Sequence, residues 1–149
     1  MTPDDPLASL YRDRIRTLAA AVRNDRRLEG ADLSLTQVSP LCGSRVTLDI
    51  ALDAALRIKA FGWRVRACTL GAAATALVVR SAQGLRLHAA AGWHDAMQRR
   101  LEGEDAAVEG LETPEIFDAA RSFRARQGAV LLPFAILAEA CAMRPDAGA

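Results

Sequence analysis

The sequence predicts an α+β fold: an N-terminal helix, a three-stranded antiparallel sheet, then C-terminal helices packed on one sheet face. Three observations carry this. Apolar residues recur at three- and four-residue steps at the start of the chain, a period-two alternation occupies the region between Leu33 and Arg66, and helical periodicity returns from Thr69 onward. Residues 1–143 read as one domain and residues 144–149 as a disordered tail.

The first helix is signalled by Asp5 as a cap followed by Pro6 in the first turn. Leu7, Leu10, Tyr11, Ile15, Leu18, Ala19 and Val22 then form one apolar stripe reaching about Arg23. Leu33 and Leu35 alternate with polar neighbours as a short first strand. The segment Ser39-Pro40-Leu41-Cys42-Gly43 is turn chemistry. Val46, Leu48, Ile50 and Leu52 point one way while Thr47, Asp49 and Asp53 point the other, which puts both carboxylates on a solvated strand face. Ile58 and Ala60 share one parity, and Phe61, Trp63 and Val65 the other, so a bulge is expected near Gly62.

From Thr69, alanines at 72, 73, 74 and 76 make a narrow helix surface suited to close packing. Leu85 to Leu101 reads as one or two helices, and Glu102 to Pro114 as an acidic loop. Thr113 and Pro114 restart a helix with a cap and an early proline. Pro133 either kinks the final apolar run or marks its true start.

The 149 residues are 51% hydrophobic and 25% charged, a globular balance, and 19 basic against 18 acidic side chains give a net charge of +1. No charge excess advertises nucleic acid, and neither a signal peptide nor a membrane span is expected. Three cysteines, an odd number, argue against a disulfide framework and for reduced thiols in the cytoplasm.

Cys42 sits in the turn before the second strand, and Cys68 sits where the third strand gives way to a helix. Thiols at the open ends of elements suit metal chemistry or exchange better than core filling. Arg64 and Arg66 are expected close to them, and Arg124 and Arg126 are candidates for a partner surface. Cys141, in the late apolar helix, reads as packing or surface. His88 and His94, six residues apart, do not share a helix face and read as surface or packing residues. No acid/base constellation accompanies the thiols, so the chain is not expected to be an enzyme.

These residues resemble the NifU/IscU-like iron–sulfur cluster assembly scaffold family. The likeness rests on Pro40-Leu41-Cys42-Gly43 before a strand and on Cys68-Thr69-Leu70-Gly71-Ala72-Ala73-Ala74-Thr75-Ala76-Leu77 opening a helix. Weaker support comes from Arg124-Ala125-Arg126-Gln127 leading into Leu131-Leu132-Pro133-Phe134. It is closest to a divergent bacterial branch with Leu-Cys-Gly-Ser. The resemblance implies that Cys42 and Cys68 match the first two cluster-binding cysteines and that Ser44 stands at the family's aspartate as a weak ligand. Ala129 stands at the third cysteine and Gly128 at a neighbouring histidine. The Leu-Pro-Pro-Val-Lys chaperone segment of some members is replaced by Ser122-Phe123-Arg124-Ala125-Arg126.

The implied function is binding of iron or a labile Fe–S cluster through Cys42 and Cys68, with Ser44 as a third metal candidate, and transfer to apo-proteins. The implied partners are a cysteine desulfurase-like sulfur donor and apo-protein acceptors, with room for a homodimer and no call for nucleic acid or membrane. The cargo is an Fe–S cluster, iron or zinc, or none, since position 129 lacks a thiol. Two alternatives stay open: a degenerate scaffold acting as a metal-free interaction module, and a Cys42/Cys68 redox thiol pair.

Overall fold

The computed structural model describes residues 6–105 and 107–144. Helix α1 spans Pro6–Ala21, and strands β1, β2 and β3 span Leu33–Val38, Arg45–Leu52 and Ile58–Arg66. Helices α2 (Thr69–Ala82), α3 (Leu87–Ala91) and α4 (Trp93–Leu101) follow, then a 3-10 helix over Pro114–Ser122 and the long α5 (Arg124–Met143). The class and the element order are those the sequence predicts. The Asp5 cap and residues 145–149 lie outside the described residues. Arg144, assigned to the tail, still donates its backbone N–H to the Ala140 carbonyl at 3.0 Å.

The sheet has the order β1-β2-β3, antiparallel throughout. Leu35, Leu48 and Trp63 align across it, as do Leu33, Ile50 and Phe61. Residues that pair directly across antiparallel strands share a face. One face is therefore apolar, with Val46, Leu48 and Ile50 fully buried, and it packs under α5. The other carries Ser34, Thr36, Arg45, Thr47, Arg64 and Arg66.

The parity switch in β3 is real, but the bulge lies at Lys59 and not at Gly62: Ala51 pairs with Ala60, and Leu52 with Ile58. One extra residue there keeps Ile58 and Phe61 on the same buried side. Gly62 has a different role. A Cβ at this position would meet the Leu28 nitrogen at 2.5 Å, Asp49 Oδ2 at 2.6 Å and the Arg26 carbonyl at 2.8 Å. Only glycine lets the segment around Arg26–Leu28 cross this part of the sheet, where Arg26 and Trp63 exchange backbone hydrogen bonds of 3.0 and 2.8 Å.

That crossing also overturns the solvated reading of Asp49, which is only 2% exposed. Its carboxylate accepts two bonds from the Arg27 guanidinium at 2.9 Å, one from the Leu28 N–H at 2.9 Å and one from Ser34 Oγ at 2.7 Å. The Arg27 bonds, with those from Leu28 and Ser34 added, outweigh burial and lower its pKa to about 2. Asp53 behaves differently again: it accepts from the Arg57 and Ala55 backbone N–H groups and organises the β2–β3 turn.

Helix α1 buries less than its stripe suggests. Leu18, Ala19 and Val22 reach the core, whereas Leu7 and Leu10 are 45% and 61% exposed. The helix ends at Ala21, two residues before the predicted boundary. The helix after Thr113 is 3-10, and Thr113 precedes it with φ +50° and no side-chain cap bond.

Helix α5 is the centre of the core. By length and composition it could cross a membrane, but Ala129, Val130, Leu132, Phe134, Ile136, Leu137 and Ala140 are buried inside the protein. It packs on β1, β2, α2, α3 and α4. Pro133 lies within this helix and cannot donate to the carbonyl four residues earlier, that of Ala129. Gly71 of α2 is the neighbour of that carbonyl: a Cβ there would lie 3.3 Å from both Ala129 Cβ and Ala129 O. The small residues of α2 thus permit a tight crossing with α5.

Candidate functional site

The β1–β2 connection carries the first thiol. Ser39 N–H donates to the Ser44 carbonyl and Gly43 N–H to the Ser39 carbonyl, both at 2.8 Å, and Gly43 adopts φ +73°, a conformation glycine supplies without a Cβ penalty. This tight closure pushes Leu41 and Cys42 outward; Leu41 is 66% exposed. Cys68 is the N-cap of α2, extended at φ −63° and ψ 169°, with its carbonyl accepting from Ala72 N–H at 2.9 Å. Both thiols are exposed and free of disulfides.

Ser44 joins them. Its side chain is 5% exposed, and Oγ accepts from the Cys42 thiol at 3.1 Å and, more weakly, from the Cys68 backbone N–H at 3.4 Å. The serine at the family's aspartate position therefore faces both cysteine segments. Ser39 lies on the other side of the turn. Its hydroxyl is buried without a hydrogen-bond partner of good geometry. It is nonetheless near enough to favour an ionised Cys42, which lies below the usual cysteine range because of the Ser39 hydroxyl first and the Ser44 hydroxyl and amide next. The two observations agree if the Ser39 hydroxyl turns to the sulfur once it carries charge; the 3.1 Å Ser44 contact is the one formed already.

An open groove of about 370 Å³ holds Cys42, Cys68, Thr69, Leu70, Ala125 and Arg126. Arg126 stacks over the ring of Phe123 at 4.6 Å and stands at this mouth, so the candidate partner-surface arginine borders the thiols. Leu70, Ala125 and Ser39 belong to the site without having been singled out from sequence, where nothing but adjacency to the cysteines marks them. Arg64 and Arg66 do not serve the thiols. They turn to Asp25 at 3.8 and 2.8 Å, because their parity puts them on the sheet's polar face.

The third ligand position is closed. Ala129 is fully buried against α2, and a Cβ on Gly128 would fall 2.7 Å from Ser39 Oγ, so a side chain there needs Ser39 to move. Among the described residues no three His, Cys, Asp or Glu side chains converge as a metal site. Cys141 is half-buried, with Sγ 4.0 Å from His88 Nδ1; neither lines the groove.

No family model and no curated protein matches the chain. Solved structures do. The N-terminal part of a NifU-like protein from Brucella abortus, described as nitrogen-fixing, superposes with a TM-score of 0.76 at 29% identity, over 89% of this chain and 92% of that one. This chain is NifU/IscU-like. A candidate iron–sulfur cluster assembly scaffold protein for the SUF system, from the thermophilic Fervidobacterium islandicum AW-1, shares the fold at a TM-score of 0.76 and 18% identity, over 84% of this chain and 91% of that one. Within the NifU/IscU-like fold the chain keeps two exposed thiols at one mouth and has alanine and glycine on the α5 side.

Proposed function

We propose that this NifU/IscU-like chain is an iron–sulfur cluster assembly scaffold-type protein that binds iron or a labile Fe–S cluster through Cys42 and Cys68. It is a cytoplasmic carrier without turnover chemistry of its own. A cysteine desulfurase-like donor supplies sulfur, and apo-proteins receive the cargo. The observation that carries this reading is the convergence of two free, exposed thiols on one serine at the mouth of a groove. The structural relatives described as NifU-like and as a cluster assembly scaffold support the same role.

The donor set fits a labile site and not a closed one. A small cluster takes four thiolate-type ligands, and structural zinc likewise takes four. One chain offers Cys42 and Cys68, and Ser44 is a poor donor while its hydroxyl is neutral and occupied by the Cys42 thiol. The remaining ligands come from outside the chain. The rival reading, a metal-free interaction module on the same fold, is favoured by the buried alanine at position 129.

Iron and acid-labile sulfide content of anaerobically reconstituted protein separates the two. We expect both elements in the wild type, and loss of nearly all of each in Cys42→Ala and in Cys68→Ala. A wild type without iron or sulfide after reconstitution overturns the carrier and leaves the interaction module.

A further inference from the structure

The outer face of the sheet is unusual for a chain of net charge +1. Arg27, Arg45, Arg64 and Arg66 line one groove of about 550 Å³ with Ser34, Thr36 and Thr47, and the only carboxylates bonded to these guanidinium groups among the described residues are Asp25 and Asp49. Four cations thus face two anions. The two anions act as posts. Buried Asp49 holds Arg27 through paired 2.9 Å bonds, and Asp25 holds Arg66 through bonds of 2.8 and 3.0 Å. Each of these guanidinium groups stays about half exposed, so it is oriented without being consumed. Arg45 stands exposed directly across from Arg66 and has no acidic partner among the described residues.

We propose that this arginine face is a docking surface for an acidic segment of a partner protein. Guanidinium groups fixed in advance recognise carboxylates in pairs at little cost in side-chain entropy. The Thr36 and Thr47 hydroxyls, 2.7 Å apart in the middle of the face, add neutral hydrogen-bonding groups between the cations. No outer-face strand position is aromatic, so nothing there stacks a base, and the four arginines are too few for a nucleic-acid backbone stripe. The location gives the surface its use. Gly43 lines this groove and Cys42, the next residue, lines the thiol groove, so an acidic segment seated here brings its protein beside the turn that carries the thiol.

A fluorescein-labelled oligoglutamate peptide tests this by anisotropy, with backbone amide NMR shifts to locate it on the intact chain. We expect salt-sensitive binding that shifts Ser34, Thr36, Gly43 and Thr47 and weakens roughly fivefold or more in Arg45→Glu. Arg45→Gln should show an intermediate loss, which guards against a folding artefact of the reversed charge. Arg80→Glu, the same charge change on the exposed end of α2, should leave affinity within about twofold. An equal loss in Arg80→Glu, or an absence of shifts on the sheet face, overturns the proposal. So does tighter binding of an oligothymidylate of matched charge at the same residues, which would make the face a nucleic-acid surface.

Discussion

Cys42 and Cys68 are both exposed, yet their surroundings differ in kind. Cys68 caps a helix with no side chain bonded to its sulfur, whereas Cys42 sits between two serine hydroxyls, one already bonded and one buried without a partner. A hydroxyl donates more strongly to a thiolate than to a thiol, so both serines lower the pKa of Cys42. The sign follows directly: with the pKa lowered, the thiolate persists to lower pH than in an ordinary cysteine, and alkylation stays fast there. In a Cys68→Ala/Cys141→Ala background, the midpoint of the iodoacetamide rate against pH should lie below that of free cysteine. Ser39→Ala and Ser44→Ala should each move it upward. A midpoint at the free-cysteine value, unmoved by either substitution, would show that the hydroxyls do not hold the thiolate. The same ionised form is the one that binds metal, so cluster retention at mildly acidic pH should follow this profile.

At the scale of elements, the sheet is shaped by a single missing side chain. Gly62 admits the loop before β1 across the sheet, and that loop brings Arg27 and the Leu28 N–H to Asp49. Three backbone or carboxylate atoms lie within 2.8 Å of where an alanine Cβ would be, and two of them belong to main chain that cannot rotate away. Gly62→Ala is therefore expected to destabilise by about 1–3 kcal/mol, the usual range for overpacking, read from urea unfolding. The indole of Trp63 donates to the Asn24 carbonyl at 2.9 Å in the displaced segment, so its fluorescence should change with the same substitution. A variant of wild-type stability with unchanged Trp63 emission would show that the loop yields freely. This contact also marks where sequence stops being informative. The period-two pattern gives three strands and their buried face, because it depends only on which residues avoid water. It cannot say that an earlier loop crosses the polar face, so Asp49 reads as solvated and Gly62 as the bulge.

For the whole molecule, the same division holds at the thiols. Their placement at a turn and at a helix start is legible, since prolines, glycines and a change of period mark element ends. The Ser39 and Ser44 contacts, and the turning of Arg64 and Arg66 toward Asp25, depend on tertiary closure and are not. The closed α2–α5 crossing then sets a stoichiometry. Ala129 is buried where the family has a thiol, and Gly71 packs on it, so the chain cannot recruit a third ligand there without parting two core helices. Two thiols per chain against four ligands per cluster means that a protein ligated only by its own copies must pair. On the carrier reading, anaerobic reconstitution without added thiols should give about half a [2Fe–2S] cluster per chain, and the coloured species should elute at twice the mass of the apo form. Cys42→Ala and Cys68→Ala should stay at the apo mass and colourless. A full cluster per chain at the monomer mass would mean that ligands from outside the protein complete the site. Colour restored only by a small thiol, at the monomer mass, would point the same way and would end the paired arrangement while leaving Cys42 and Cys68 as the protein's contribution.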